Sequence, residues 1–296
     1  MNKLFYIFRF FLVPDLQLDF FTKDKKKVKT ELHNKILEQK KSSVVIKGKT
    51  YLLYYTKQFT PEILLCKFAR EKEYLKYNAG DLDIQMEEDL QYPFQYVIID
   101  FNSQVIMVEK KTTLFREAKH ARAALEEFFS TFLSHEAYTF SLDAKSSRQA
   151  FWSLVTEYHD QIYGLTVALK SPNLFGAQAK AQDILKEVKE LHNATEVEYG
   201  LSNKSGKLVL LKEGFGDIID YIVAGGGRYM LKVKDRSSGE SRNLSSTDNI
   251  TTVTLTGDPE ELPSEQILKC IEGINAEDFM ESDINDQKEG NAEEPL

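Results

Sequence analysis

The residues with the plainest claim to chemistry are Asp100, Glu109 and Lys111. Their D…ExK order is the one in which two carboxylates hold a metal and a lysine assists a water nucleophile. The spacing argues against that use. Tyr96–Phe101 and Val105–Glu109 flank Asn102-Ser103 and read as a tight hairpin buried on at least one face, with Asp100 opposite Val105. Glu109 then stands roughly 13 Å further along, at about 3.3 Å per residue, too far for one cation to bind both carboxylates. The segment reads as an exposed acidic and basic strand end, and a metal-dependent nuclease is kept as the enzyme alternative.

Phosphate-loop patterns are incomplete. Gly200…Gly206-Lys207 has five intervening residues where a P-loop has four, and Leu208 stands where the metal-binding hydroxyl belongs. Gly214-Phe215-Gly216 has Ile219 in place of the third glycine of a dinucleotide fingerprint. Gly225-Gly226-Gly227 reads as a helix C-terminal break before a strand. With no GxSxG, HExxH or paired CxxC, the sequence assigns no catalytic residue, metal ligand, cofactor or small-molecule substrate.

Two basic surfaces remain. Lys25, Lys26, Lys27 and Lys29, with Lys23 before them, gather at the start of the first helix, where the helix dipole disfavours cations. In the strand after the glycines, period-two alternation puts Arg228, Lys232, Lys234 and Arg236 on one face with Met230, and Tyr229, Leu231 and Val233 on the other. Such a stripe suits phosphates without reading bases. The competing reading is a solvated edge strand whose lysines deter pairing with other sheets.

Charge is segregated along the 296 residues. The net charge is −8, and residues 272–296 hold nine acids against one base, which accounts for all of it. Residues 1–271 are neutral, and within them Met1–Lys57 carries thirteen bases against five acids. Net charge therefore does not argue against a nucleic-acid partner. The tail reads as disordered, either as a solubilising terminus, as a competitor for a basic groove, or as an adaptor or inhibitor segment docking on a basic partner through Phe279 and Ile284. A composition of 42% hydrophobic and 28% charged residues excludes collagen-like, coiled-coil and wholly disordered chains. Cys66 and Cys270 lie far apart and the five histidines are never within four residues of one another, which favours a reducing cytoplasm over a disulfide scaffold or local zinc motif. Leu4–Val13, interrupted by Arg9 and followed by Pro14, reads as a strand and not a signal peptide.

The elements that must position these residues divide in two. Leu4–Val13 and Thr50–Thr56 are predicted strands, the latter after a Lys47-Gly48-Lys49 turn. Val28, Leu32 and Ile36 mark a helix over Asp24–Lys41, and Leu114, Ala118, Ala121, Leu125, Phe128 and Phe132 a long helix from about Thr113 to Ser134. The pattern then restarts with a strand over Tyr138–Leu142, a helix capped by Ser146 or Ser147, a strand over Ile162–Lys170, a helix capped by Asn173, and a strand over Glu196–Leu201. Lys207–Ala224 is ambiguous, beginning strand-like and ending helical. Tyr229–Val233 is a strand, Arg236–Asn249 a polar loop, Thr251–Leu255 β-branched and Pro263–Ile271 helical. The expectation is an α+β protein of mainly antiparallel sheets with packed helices. It comprises a β-rich domain over 1–136 closed by a long helix, an α/β sandwich over 137–272, and an acidic tail over 273–296.

The run Gly48-Lys49-Thr50-Tyr51-Leu52-Leu53-Tyr54-Tyr55, followed by Tyr92-Pro93-Phe94-Gln95-Tyr96-Val97-Ile98-Ile99-Asp100, resembles RexA-type phage-exclusion proteins in its order of elements. The later part, from Ile162–Asn173 through Gly225–Val233 to Ser245-Ser246-Thr247, is similar to an uncharacterised family encoded in prophages and bacterial defence islands. The resemblance spans about two thirds of the chain and rests on pattern and spacing. It implies a cytoplasmic, dimeric, non-catalytic DNA-binding sensor of antiviral defence that signals to an effector, with a membrane partner as in RexA-type systems. It carries over no functional residues, so the basic positions above remain the site.

Overall fold

The computed structural model describes residues 2–14, 25–79, 84–134, 138–170, 196–205, 207–235 and 238–275. The helix expected after Asn173, Lys23, Gly206, Arg236 and the tail beyond residue 275 lie outside the described residues. The fold is α+β, and every strand pairing within it is antiparallel.

The first half builds most of the larger sheet. It contains β1 (Asn2–Pro14), α1 (Lys25–Gln39), β2 (Lys41–Ile46), β3 (Lys49–Thr60) and β4 (Ile63–Arg70). These are followed by β5 (Lys72–Ala79), β6 (Ile84–Gln91), β7 (Phe94–Asp100), β8 (Val105–Glu109) and α2 (Ala118–Phe132). Lys47 and Gly48 both have positive φ, 50° and 76°, which gives the two-residue turn that joins β2 to β3 the twist of its strands. Asp100 pairs with Val105, the register the tight hairpin requires. The helix expected from Thr113 begins later, at Ala118, because Leu114 and Phe115 are buried in a turn whose amides both bond the Lys111 carbonyl.

The second half contains β9 (Tyr138–Ala144), α3 (Arg148–Glu157), β10 (Ile162–Lys170), β11 (Glu196–Ser202) and α4 (Lys212–Tyr221). After a π-type turn (Ile222–Gly226) come β12 (Gly227–Lys234), β13 (Ser241–Ser245), β14 (Thr252–Thr256) and α5, residues 264–275. Ser147 caps α3 by accepting from the Ala150 amide at 3.3 Å. The stretch from Lys207 to Leu211 is not a strand, and the polar Arg236–Asn249 segment contains β13.

The larger sheet runs β14-β1-β8-β7-β4-β3-β2, with β9 also on β1. This departs from the expected division at residue 136, because β9 and β14 were both placed with the second domain. They lie end to end on one edge of the long β1. Ile7 ties the junction, donating to Thr251 O at 3.0 Å and accepting from the Lys145 amide at 3.0 Å, while the Thr251 amide bonds Lys145 O at 2.7 Å. One sheet face packs under α1 and α2 through Phe8, Phe10, Val28, Leu32, Leu125 and Phe128. The other packs under α5 through Phe5, Ile7, Leu65, Ile98, Ile267 and Ile271. Burial of both faces is why β7 and β8 are almost continuously apolar.

A latch fastens the turn ahead of α5 to the sheet. The Tyr96 hydroxyl lies 2.7 Å from Glu260 Oε1 and 3.1 Å from Asp258 Oδ1, Lys67 Nζ is 2.6 Å from Glu260 Oε1, and Lys57 donates to the Glu260 and Leu262 carbonyls. Lys67 and then Tyr96 hold Glu260 below its ordinary pKa, and the Glu260 amide does the same for Asp258. A depressed carboxylate pKa stabilises above the unfolded value, and that contribution is lost as pH falls through the folded one. Stability should therefore drop as pH descends below the ordinary values of 3.8 and 4.5. Tyr96→Phe should flatten part of this acid limb in denaturant midpoints measured against pH. An unchanged limb would remove the latch from the account.

β4 with β5, and β7 with β6, form one continuous ribbon. The register from Ile63 opposite Asp100 through Ala69 opposite Phe94 continues unshifted from Lys72 opposite Gln91 to Ala79 opposite Ile84. The β5–β6 portion is a separate two-stranded unit, an arm extending the sheet.

The smaller sheet runs β11-β10-β12-β13. Its inner face packs on α3 and α4 through Phe151, Trp152, Leu165, Ile219, Tyr229 and Leu231. The two sheets meet along a seam. Gly225, with φ 93°, lies against the stem of Arg9, Gly226 against the Tyr221 ring, and Gly227 against the Ala168 carbonyl. Beside them Lys170 Nζ sits 2.6 Å from Asp143 Oδ2, and the Tyr221 hydroxyl donates to the Lys170 carbonyl at 2.6 Å.

Candidate nucleic-acid interface

The strand carrying the basic stripe alternates as its sequence requires. In β12, Gly227, Tyr229, Leu231 and Val233 are buried, Arg228, Met230 and Lys234 are exposed, and Lys232 is half-buried. The inward residues fill the space over α3, with the Tyr229 and Phe151 rings 4.9 Å apart at 73°. Outward residues follow from the register. Arg228, Met230 and Lys232 share a face with Ala168, Thr166 and Gly164 of β10, and Met230, Lys232 and Lys234 with Ser245, Asn243 and Ser241 of β13. β12 is thus an inner strand, so the edge-strand explanation for its lysines does not apply. The polar β13 takes the edge.

This outer face carries small side chains around the lysines, with polar ones on β13 and Glu198 of β11 opposite Ala168. A Cβ on Gly164 would stand 3.3 Å from Lys232 Cδ, so the absent side chain lets the lysine stem lie across β10. Small and hydroxyl-bearing neighbours leave room for a sugar-phosphate backbone and offer it donors. Arg228 is already engaged, with Nη2 2.7 Å from Glu196 Oε1 on β11. The stripe is therefore cationic mainly at the Lys232–Lys234 end. Two further lysines join that end. Ser202 is opposite Gly164, which is opposite Lys232, and the turn after β11 carries exposed Lys204 and Lys207. The Asn203 amide bonds Tyr163 O at 2.8 Å, the Leu208 amide bonds Ile162 O at 2.9 Å, and the Lys234 amide bonds Gln161 O at 3.0 Å, which holds the turn at this end of the sheet. Sequence reading missed Lys204, although Asn203-Lys204-Ser205-Gly206-Lys207 has the composition of a basic turn leaving a strand.

The other basic group lies elsewhere. Lys26 and Lys27 are exposed and Lys29 is half-buried on α1, which begins at Lys25 and has no acid in its first turn. That helix packs on β1 and β2 of the larger sheet, so the two groups belong to different sheets.

The nuclease residues are not brought together. Asp100 is buried and accepts from the Asn102 amide at 2.9 Å, the Ser103 amide at 3.2 Å and the Ser103 hydroxyl, serving as the clamp of its own turn. Glu109 is buried at the far end of β8, accepting from Lys3 Nζ and from the Tyr96 amide, each at 3.0 Å. Lys111 Nζ stands over the Phe94 ring at 4.7 Å. The expected exposed strand end is thus corrected, since both carboxylates are interior and hydrogen-bonded. Among the described residues, no three His, Cys, Asp or Glu side chains converge.

Of the glycines in the two phosphate-loop patterns, the described ones stand inside regular elements. Gly200 is within β11, and Gly214 and Gly216 are within α4. Among the described residues no helix is long and apolar enough to cross a membrane. No protein-family model matches the sequence, and no curated protein matches it.

Proposed function

We propose that this protein is a non-catalytic, sequence-independent DNA-binding component of prophage-encoded phage exclusion. The observation that carries the binding reading is the open outer face of the smaller sheet. Lys232 and Lys234 stand there on an inner strand among Gly164, Thr166, Ser241 and Asn243, with Lys204 and Lys207 at the same end. The exclusion setting, and a membrane effector as partner, rest on the resemblance to RexA-type proteins. The nuclease reading loses support because Asp100 and Glu109 are each committed to structural bonds at opposite ends of a hairpin.

A salt titration of duplex binding tests the reading. Each phosphate contact contributes about 0.9 to the slope of log affinity against log salt. Neutralising Lys232 and Lys234 to glutamine should lower the slope by roughly 2 and weaken binding uniformly across sequences. Equal slopes for wild type and the double variant would remove these lysines from the site. No retention at any salt would replace DNA binding with the adaptor reading.

A further inference from the structure

We propose that Arg70, Lys72 and Lys49 form a binding site for a terminal phosphate group, a phosphomonoester dianion, on the side of the larger sheet that packs under α1 and α2. Register brings the three cations together. Arg70 is opposite Tyr51, and the Glu71 amide bonds the Thr50 carbonyl at 2.8 Å, so the same ladder continued by one step sets Lys72 opposite Lys49. Arg70 and Lys72, two residues apart, share that face. Like charges directly opposite on a sheet are destabilising, and solvated cations would splay apart.

Two contacts prevent that. The Arg70 guanidinium lies over the Phe115 ring, 5.3 Å from its centre, and Phe115 is itself stacked 6.5 Å from Tyr51. Lys72 Nζ donates to the Thr113 carbonyl in the turn ahead of α2. Stacking leaves the guanidinium edge for hydrogen bonding. Yet Arg70 Nε is buried without an acceptor, and among the described residues the guanidinium has no hydrogen bond or ion pair. A desolvated donor without an acceptor is costly. Neighbouring acids do not neutralise the group. Glu71 points to the opposite face and accepts from the Tyr92 hydroxyl at 3.2 Å, while Asp89, opposite Tyr74, accepts from Gln91 at 2.7 Å. Burial, and then the Arg70 and Lys49 charges, hold the Lys72 ammonium below its ordinary pKa, as expected of cations crowded without a counter-charge.

Three converging charges select the ligand. A backbone diester carries one negative charge and suits cations spaced along a strand, as on β12. A monoester phosphate carries about 1.5 to 2 at neutral pH and offers three oxygens to an arginine fork and two ammonium groups. The same group occurs on a mononucleotide and at a 5′-phosphorylated strand end.

Titration calorimetry of the full-length protein at fixed ionic strength tests the site, using inorganic phosphate, adenosine monophosphate and a short 5′-phosphorylated oligonucleotide. Inorganic phosphate should bind with a dissociation constant below about 1 mM. Arg70→Gln should weaken it at least about tenfold, and Lys49→Gln about threefold. Lys49 is exposed and its removal relieves repulsion, so Lys49→Gln should melt no lower than wild type without phosphate, which separates binding from folding. A phosphorylated strand that outbinds adenosine monophosphate assigns the phosphate to a strand end, and the reverse order assigns it to a small molecule. Lys232→Gln with Lys234→Gln should leave phosphate affinity unchanged, so this site and the DNA-binding face fail independently. No binding of the three probes up to about 10 mM, or wild-type affinity in both the Arg70 and Lys49 variants, would overturn the proposal.

Discussion

Replacing Gly227 by alanine should cost about 3 kcal/mol or more, at the upper end of overpacking substitutions. Gly227 opens β12 opposite Leu169, and a Cβ there would fall inside 3.0 Å of the Ala168 carbonyl oxygen, 3.1 Å from Leu169 Cα and 3.2 Å from the Ala168 carbonyl carbon. All three obstacles are backbone of β10, so relief requires β12 to move away from its partner and not a change of rotamer. The backbone of Gly227 is extended, so the effect comes from close approach and not from φ. At roughly 2 °C per kcal/mol for a chain of this size, the melting temperature should fall by about 6 °C or more. Gly214→Ala supplies the contrast. A Cβ there meets nothing within 4 Å in the first turn of α4, and the change should stabilise by about 0.5–1 kcal/mol through helix propensity. Similar melting temperatures for the two variants would contradict the packing account.

This pair of glycines shows how far the sequence was readable. The triplet Gly225–Gly227 was legible as a break between helix and strand, and Gly225 takes the left-handed conformation that reading requires. What the pattern could not show is that each glycine also meets a different neighbour, Tyr221 from the preceding helix and Arg9 and Ala168 from distant parts of the chain. Local elements with strong periodicity were legible for the same reason. Ile162–Lys170 is a strand with the bounds read from sequence, and Val28, Leu32 and Ile36 are buried on one helix face.

Partner choice was not legible. Tyr138–Leu142 was rightly a strand, extended in the structure to Ala144, but was assigned to the wrong sheet, because period-two alternation says which face is buried and nothing about which strand lies alongside. The same limit hid that β12 is an inner strand. Ser241–Ser245, its outer neighbour, is polar and lacks the β-branched run that marks a buried strand, so it read as loop. The candidate site was legible residue by residue through the alternation at Arg228, Met230, Lys232 and Lys234. Its neighbours Gly164, Thr166, Ser241 and Asn243 emerge only from the register.

Lys170→Met should cost roughly 3–5 kcal/mol, the range for removing one member of a buried ion pair. Lys170 Nζ lies 2.6 Å from Asp143 Oδ2, with the two side chains 7% and 1% exposed, and also donates to the Ser141 hydroxyl. The pair joins the end of β10 in the smaller sheet to β9 in the larger one. Asp143 retains Arg122 Nη1 at 3.8 Å, and Arg9 is its cross-strand neighbour on β1, so the loss should fall toward the lower part of that range. Tyr221 adds to the seam. Burial and then the Asp143 carboxylate push its hydroxyl above the ordinary tyrosine value, so it stays protonated and donates to the Lys170 carbonyl. Asp143→Leu combined with Lys170→Met removes both charges, and apolar replacement of a buried pair is often close to neutral. The double variant should therefore be more stable than Lys170→Met alone, giving a coupling of about 1–3 kcal/mol in a denaturation cycle. Additive losses would mean that the two sheets are held by packing at the glycines and that the ion pair is incidental.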